Sequence, residues 1–299
     1  MNSPTAASTT TPNAAAAGKV HLGDLVVHRL GYGAMRITGP GIWGPPKDKD
    51  AAIQTLRRAV ELGVNFIDTA DSYGPNVSEE LIAEALHPYA KGLVIATKGG
   101  WERVGPGQWV HNASPKHLEE AVAGSLKRLK LDRIDVYQLH VPDPAVSFTA
   151  SVETLEKLRQ QGKIRHVALS NVTLEHVERG RKITPIVSVQ NRYSFADREW
   201  DFLLDFCEKN GIAFIPWAPL GQVRSAAHEL LEKFAKELNA SPLQVALAWL
   251  LRRSPVTLPI PGTSSAKHVE ENVAAASLKL PDAMFRQLDA VTPPPASLR

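Results

Sequence analysis

Four polar residues fall near the ends of apolar runs, where a parallel sheet carries its functional rim. Asp68 ends the strand read in NFIDTA (65–70), and Tyr73 lies just beyond it in DTADSYG. Lys98 ends LVIATK (93–98), and His140 ends IDVYQLH (134–140). Each alone has an ordinary explanation. The aspartate could cap a turn, the tyrosine could pack on Pro75, the lysine could be solvated and the histidine could be a bonded core residue. Together they form an acid–base set. A phenol with a pKa of about 10 is a weak acid at neutral pH, and an ammonium beside it favours the phenolate. A carboxylate would keep that ammonium charged, and an imidazole could donate to a carbonyl oxygen. That is the equipment for protonating a carbonyl oxygen while a hydride reaches the carbon. A Schiff-base role for Lys98, as in an aldolase or isomerase, needs a depressed lysine pKa, which Asp68 opposes. The histidines are scattered without an H-E-x-x-H pattern, so no metal is expected. No G-x-S-x-G elbow supports a hydrolase.

The elements that must position these residues recur along the chain. The strand candidates run LGYGAM, NFIDTA, LVIATK, IDVYQLH, IRHVALSN (164–171), IVSVQNRY (186–193), AFIPWAP (213–219) and VTLPIPG (256–262). They are rich in β-branched residues and alternate little, as strands covered on both faces do. Helices lie between them. Ser114-Pro115 reads as an N-cap with proline at the first position, Ser241-Pro242-Leu243-Gln244 as a capping box, and Ser78 as a cap. Eight strand–helix units without a composition shift predict an α/β fold, a single-domain (β/α)8 TIM barrel over residues 19–299. GKVHLGDLVVHRLG reads as an N-terminal β-hairpin. Residues 1–18, with no charged side chain, read as a disordered N-terminal tail. An open doubly wound sheet is the other reading, but no G-x-G-x-x-G follows an early strand. Two long connections, ITGPGIWGPPKDKD and GGWERVGPGQWVHN, follow strand ends and carry Trp43, Trp101 and Trp109. These are expected as an apolar wall over a substrate pocket, against local loop packing as the plainer reading.

Bulk properties limit the alternatives. The net charge of +3 over 299 residues is too mild to imply nucleic acid or an anionic membrane as the main partner. No apolar run approaches a transmembrane span. The lone cysteine, Cys207, allows no intrachain disulfide and sits in an amphipathic pattern as a packing residue. The chain is expected in the cytoplasm.

The motifs GVNFIDTADSYG, VIATKGG, YQLHVPDP, HVALSN, VQNRYS, IPWAPLG and IPGTSSAKHVEEN, in this order, resemble those of aldo-keto reductases over residues 22 to 292. The resemblance implies that Tyr73 is the general acid, Lys98 lowers its pKa, Asp68 pairs with Lys98 and His140 orients the carbonyl. It implies NADPH bound in extended form. Ser170, Asn171 and Gln190 would hold the nicotinamide carboxamide and Trp217 would stack on its ring. Pro219, Leu220 and Gly221 would follow the pyrophosphate. Gly262, Thr263, Ser264, Ser265, Lys267 and His268 would form the 2′-phosphate site, and Glu271 and Asn272 would contact adenine. Many members carry lysine at the position of Gly262 and arginine at that of His268. The loss of an always-charged guanidinium weakens phosphate selection. GYGAMRITGPGIWGPP and IPGTSSAKHVEENVAAA resemble a bacterial subgroup linked to pyridoxal reduction, which makes pyridoxal or another aromatic or aliphatic aldehyde the candidate substrate. Potassium-channel β subunits resemble these reductases too, so a regulatory or scaffold protein that binds the cofactor is the alternative.

Overall fold

The computed structural model describes residues 11–219 and 226–294. Seven parallel strands form one curled sheet in chain order. They are β3 (Tyr32–Gly33), β4 (Phe66–Asp68), β5 (Val94–Gly99), β8 (Ile134–Leu139), β9 (Ile164–Ser170), β10 (Ile186–Arg192) and β11 (Ala213–Trp217). Each is buried on both faces, β5 at all positions, which is why the apolar runs show no alternation. Between strands run α1 (Lys49–Glu61), α2 (Val77–Leu86), α3 (Pro115–Leu129), α4 (Phe148–Gln160), α5 (Leu174–Arg181) and α6 (Asp201–Lys209). Then come α7 (Ala226–Glu237), α8 (Pro242–Arg253), α9 (Ala266–Ala274) and α10 (Asp282–Val291).

The local signals at helix starts operate largely as read. Ser114 accepts from the His117 N–H, and Ser241 and Gln244 form a capping box. Ser78 differs: the cap lies two residues earlier, at Asn76 in a left-handed conformation, and α2 begins at Val77. The Ser78 hydroxyl instead donates to Ala34 O at 3.1 Å and meets Thr69 Oγ1 at 2.7 Å. It anchors the helix to the rim.

The inner face is layered. The bottom is closed by the hairpin β1 (Lys19–Leu22) and β2 (Leu25–His28), which contributes Val20, Leu22 and Val27 to a cluster with Phe66, Val94, Ala96, Val136 and Ala168. Parallel register puts Lys98 beside Gln138 and Gln190 beside Ser170, above that apolar layer. Polar residues on these inner positions must find one another, since a buried charge or amide without a partner is costly.

Three expectations need correction. Structure is present before residue 19: Ala14–Ala17 form a 3-10 turn, Ala14 is fully buried, and its N–H donates to Leu62 O at 2.8 Å. Small alanines fit against the α1 end, so the segment 13–18 is not a tail. The eighth run, VTLPIPG, is not a regular strand. Pro259 and Pro261 remove ladder donors. The segment nevertheless bonds to both sheet edges, through Phe214 N to Val256 O and Leu258 N to Phe214 O on one side and Gly31 N to Pro259 O on the other. Finally, the connection after β5 is not a loop but an antiparallel hairpin, β6 (Trp101–Gly105) and β7 (Gln108–His111).

The seam between this segment and β3 is a backbone-to-backbone approach. A Cβ on Gly33 would lie 2.7 Å from Ile260 O, and one on Gly262 would lie 2.8 Å from Gly33 O. Gly33→Ala is therefore expected to cost about 1–3 kcal/mol and to lower the thermal midpoint by several degrees. Scanning calorimetry or a urea titration checks it, and an unchanged midpoint would show that the seam can spread without cost.

Candidate active site

The rim strands deliver the four polar residues to one place. Asp68 is 2% exposed, Tyr73 7%, Lys98 0% and His140 7%. Lys98 Nζ donates to Asp68 Oδ2 at 2.6 Å, to Thr69 O at 2.8 Å and to Tyr73 Oη at 3.4 Å. An ammonium has three donors, and all three are matched. The Tyr73 and His140 rings meet edge to face with centroids 5.8 Å apart. His140 Nδ1 lies 3.4 Å from Ser72 Oγ, which leaves Nε2 as the nitrogen for an incoming oxygen.

Electrostatics refine the expected tuning. Burial pushes the Tyr73 phenol up, and the Lys98 ammonium pulls it back down without cancelling the effect. The expected lowering of the phenol is therefore an opposing pull rather than a net drop. Burial disfavours the charged Lys98, but Asp68 and Tyr73 more than offset this and hold it protonated. Burial, with Lys98 nearby, drives His140 well below the usual imidazole value, so its ring is neutral at physiological pH.

Gln138 was not foreseen. Its Nε2 donates to Asp68 Oδ1 at 2.8 Å, as does Gln190 Nε2 at 2.8 Å, and Gln190 also reaches Gln138 Oε1 at 3.1 Å. Both carboxylate oxygens of Asp68 are thus occupied. The available signal was a glutamine inside a strand covered on both faces, two residues from His140 and hence on its face. Asp71 was also missed. It is buried, its Oδ1 has no partner among the described residues, and burial with Glu79 close by pushes its carboxyl up to about 8. Arg103, on the unforeseen hairpin, is a third.

The strand-end residues expected near a cofactor cluster on the next strands. Asn171 adopts a left-handed φ of 56°, rare for a residue with a side chain. Its Nδ2 donates to His140 O at 2.9 Å and Ser170 Oγ at 3.2 Å, and its Oδ1 accepts from Trp217 Nε1 at 3.0 Å. Ser170, Asn171, Gln190 and Trp217 are therefore brought together. The Gln190 amide nitrogen is committed to Asp68 and Gln138, leaving its oxygen as the group toward a ligand. Pro219 is buried next to them, while Leu220 and Gly221 lie outside the described residues.

Gly262, Thr263, Ser264 and Ser265 lead into α9. Ser265 is its N-cap but makes no side-chain cap bond, Lys267 and His268 are exposed, and Thr263 Oγ1 lies 3.4 Å from His268 Nδ1. Glu271 is exposed and Asn272 buried. A cavity of about 710 Å³ opens beside Gly262–Ser264 and is lined on its other side by Met35, Arg36 and Lys47. Arg36 Cγ lies 3.6 Å from where a side chain on Gly262 would begin. Of the three tryptophans, Trp101 and Trp109 each sit 6.4 Å from the His140 ring, edge on, and Trp43 joins them across Arg103. Among the described residues no cluster of three or more His, Cys, Asp or Glu could hold a metal, and no helix is long and apolar enough to cross a membrane.

A curled parallel sheet with tyrosine, lysine, aspartate and histidine converging on one rim defines an oxidoreductase class. The sequence comparison gives the same result: residues 29–293 match the Aldo/keto reductase family, and the chain belongs to it. The family makes the curled sheet that of a TIM barrel. The chain is 50% identical over 288 residues to an uncharacterized oxidoreductase of Schizosaccharomyces pombe, covering 96% of this chain and 94% of that one. It is 46% identical over 277 residues to pyridoxine 4-dehydrogenase of Escherichia coli, covering 91% and 97%. Among solved structures, an aldo/keto reductase from Klebsiella pneumoniae in complex with NADP and acetate matches with a TM-score of 0.77 and 26% identity, covering 91% of this chain and 93% of that one.

Lys98→Met should leave Asp68 as an uncompensated buried charge and cost about 3–5 kcal/mol. The double variant Asp68→Asn/Lys98→Met should recover much of that loss. Urea unfolding of both variants decides it. A double variant no more stable than Lys98→Met would mean that the pair does not act as a unit.

Proposed function

We propose that the chain reduces an aldehyde or ketone to the alcohol with NADPH, on a closed (β/α)8 barrel. The observation that carries this is the Tyr73 hydroxyl within hydrogen-bond reach of a buried, carboxylate-held ammonium. The donor set fits the cofactor. Ser170, Asn171 and the Gln190 oxygen offer a carboxamide its complementary groups, Trp217 offers a flat ring tethered by Asn171, and Thr263, Ser264 and Ser265 offer hydroxyls at a helix start. Arg36 takes the place of the cation that Gly262 does not supply.

When bound, the cofactor supplies a hydride to the carbonyl carbon. The protein manages the oxygen. Tyr73 donates its proton there, and Lys98 stabilises the phenolate that this leaves. Asp68 keeps Lys98 charged and aimed. Gln138 and Gln190 keep Asp68 from turning away. His140, neutral, donates a hydrogen bond from Nε2 that orients the carbonyl before transfer. Burial keeps the phenol protonated between turnovers, and the ammonium matters as charge develops.

The similarity to pyridoxine 4-dehydrogenase supports pyridoxal as a substrate. A cytoplasmic site of action is in keeping with the single buried cysteine, and cell fractionation tests it. A purely regulatory, cofactor-binding role is the competing reading, but it gives the matched ammonium no task.

NADPH absorbance, followed with pyridoxal, nitrobenzaldehyde and methylglyoxal, tests the proposal. Tyr73→Phe is expected to bind NADPH normally and to lose about 10²–10⁴ in kcat. Equal rates from wild type and variant would remove Tyr73 from its role, and binding without turnover by either would favour the regulatory reading. In the same assay Arg36→Ala should raise the KM for NADPH about tenfold while leaving that for NADH nearly unchanged. A parallel rise for both, or none, would separate Arg36 from phosphate recognition.

A further inference from the structure

The β6–β7 hairpin lies outside the main sheet, and an isolated two-stranded ribbon is marginal in water. Its residues alternate. Arg103 pairs with Trp109 and Trp101 with His111 across the ribbon, while Val104, 62% exposed, and Val110, 44% exposed, face solvent. Arg103 ties the inner face to the barrel, alongside a backbone bond from Gly107 N to Gly41 O at 3.0 Å. Its Nε donates to Gln108 O at 3.1 Å. Its Nη1 donates to Ile42 O at 2.7 Å and Ser72 O at 2.9 Å. Its Nη2 donates to Gly41 O at 2.8 Å and Gly105 O at 3.5 Å. A guanidinium has five N–H donors, and five carbonyls take them. Its face lies 3.8 Å from the Trp109 ring centroid and 5.7 Å from that of Trp43. One side chain therefore gathers the hairpin, the loop after β3 and the backbone next to Tyr73. Ser72, whose carbonyl it holds, also meets His140 through its hydroxyl.

We propose that Arg103 is a positioning residue that sets Trp43 and Trp109 as the walls of the substrate pocket and makes the site select flat, uncharged aromatic aldehydes. This rests on reading the rim as a carbonyl-reducing site. The charge of Arg103 points to an anion receptor, but its donors are spent on the protein. An aldehyde bearing a carboxylate or phosphate finds no free N–H there. What the pocket offers instead is ring surface: Trp101 and Trp109, 5.8 Å apart, both turned edge-on to His140. A lysine could keep the charge but cannot serve five acceptors in one plane.

The test uses wild type, Arg103→Lys, Arg103→Met and the outer-face control Val104→Ala. The substrates are nitrobenzaldehyde, carboxybenzaldehyde and methylglyoxal. Both Arg103 variants should raise the KM for nitrobenzaldehyde about tenfold, which is about 1.4 kcal/mol. Their KM for methylglyoxal and their NADPH affinity should stay within about twofold, the size of an incidental effect (~0.4 kcal/mol). Val104→Ala should match wild type throughout. Wild-type KM with Arg103→Lys would overturn the proposal. So would a carboxybenzaldehyde preference that Arg103→Lys keeps and Arg103→Met loses, the mark of an anion receptor. Limited proteolysis tests the staple without turnover: cleavage within 101–111 should be about tenfold faster in Arg103→Met, a loss of order 1.4 kcal/mol in local closure. Equal cleavage overturns the staple even if the enzyme reduces all three aldehydes. A wild type that binds NADPH and reduces none of them defeats the reading of the rim instead, while the cleavage contrast still judges Arg103.

Discussion

The lysine ammonium at the centre of the barrel mouth constrains everything around it. Lys98 is fully buried, and taking an ion out of water costs several kcal/mol even after relaxation. It is tolerable only because a carboxylate, a backbone carbonyl and a phenol take its three donors. The carboxylate is buried in turn and needs its own partners, which come from Gln138 and Gln190 two and four strands further along the sheet order. The polar layer is thus a chain of obligations: each member is satisfied by the next, and none can rotate without leaving another unpaired. This is how a parallel sheet with an apolar floor holds a phenol and an imidazole in fixed relation.

Neutrality of His140 follows from the same arrangement. Burial and the nearby ammonium both act against protonation of the ring. A second cation at the mouth would compete with Lys98 for whatever charge develops on a bound oxygen. A neutral donor orients without competing. Asn171 then ties this corner to the neighbouring one, since its amide spans the His140 carbonyl and the Trp217 indole. Its left-handed backbone is the cost of reaching both.

The sequence made the rim residues legible because strand ends can be read from apolar runs, and the four side chains are polar exceptions at those ends. Gln138 escaped because it sits within a run rather than at its end, and only the rule that buried amides need partners marks it. Arg103 escaped for another reason. Pro106-Gly107 carries the signature of a turn with a left-handed third residue, and Gly107 has φ +69°. The alternation of Trp101, Arg103 and Trp109 about it is a strand pattern, but glycine and proline density made the stretch read as coil. The Ala14–Ala17 turn was hidden by composition, because alanine-rich sequence without charge describes both a tail and a tightly packed edge. At the eighth stave, apolar β-branched residues outvoted two prolines.

Those prolines have a consequence beyond geometry. While the chain is only partly folded, the sheet has two open margins, and either could recruit a strand from another molecule. One margin, β3, is two residues long. The other, β11, carries Pro216 as its next-to-last residue, and the stave that finally joins them contributes Pro259 and Pro261. Each proline withholds an N–H that an intruding strand would need. The last joint of the cylinder is therefore also the one least able to nucleate aggregation, at the cost of a ladder reduced to a few bonds.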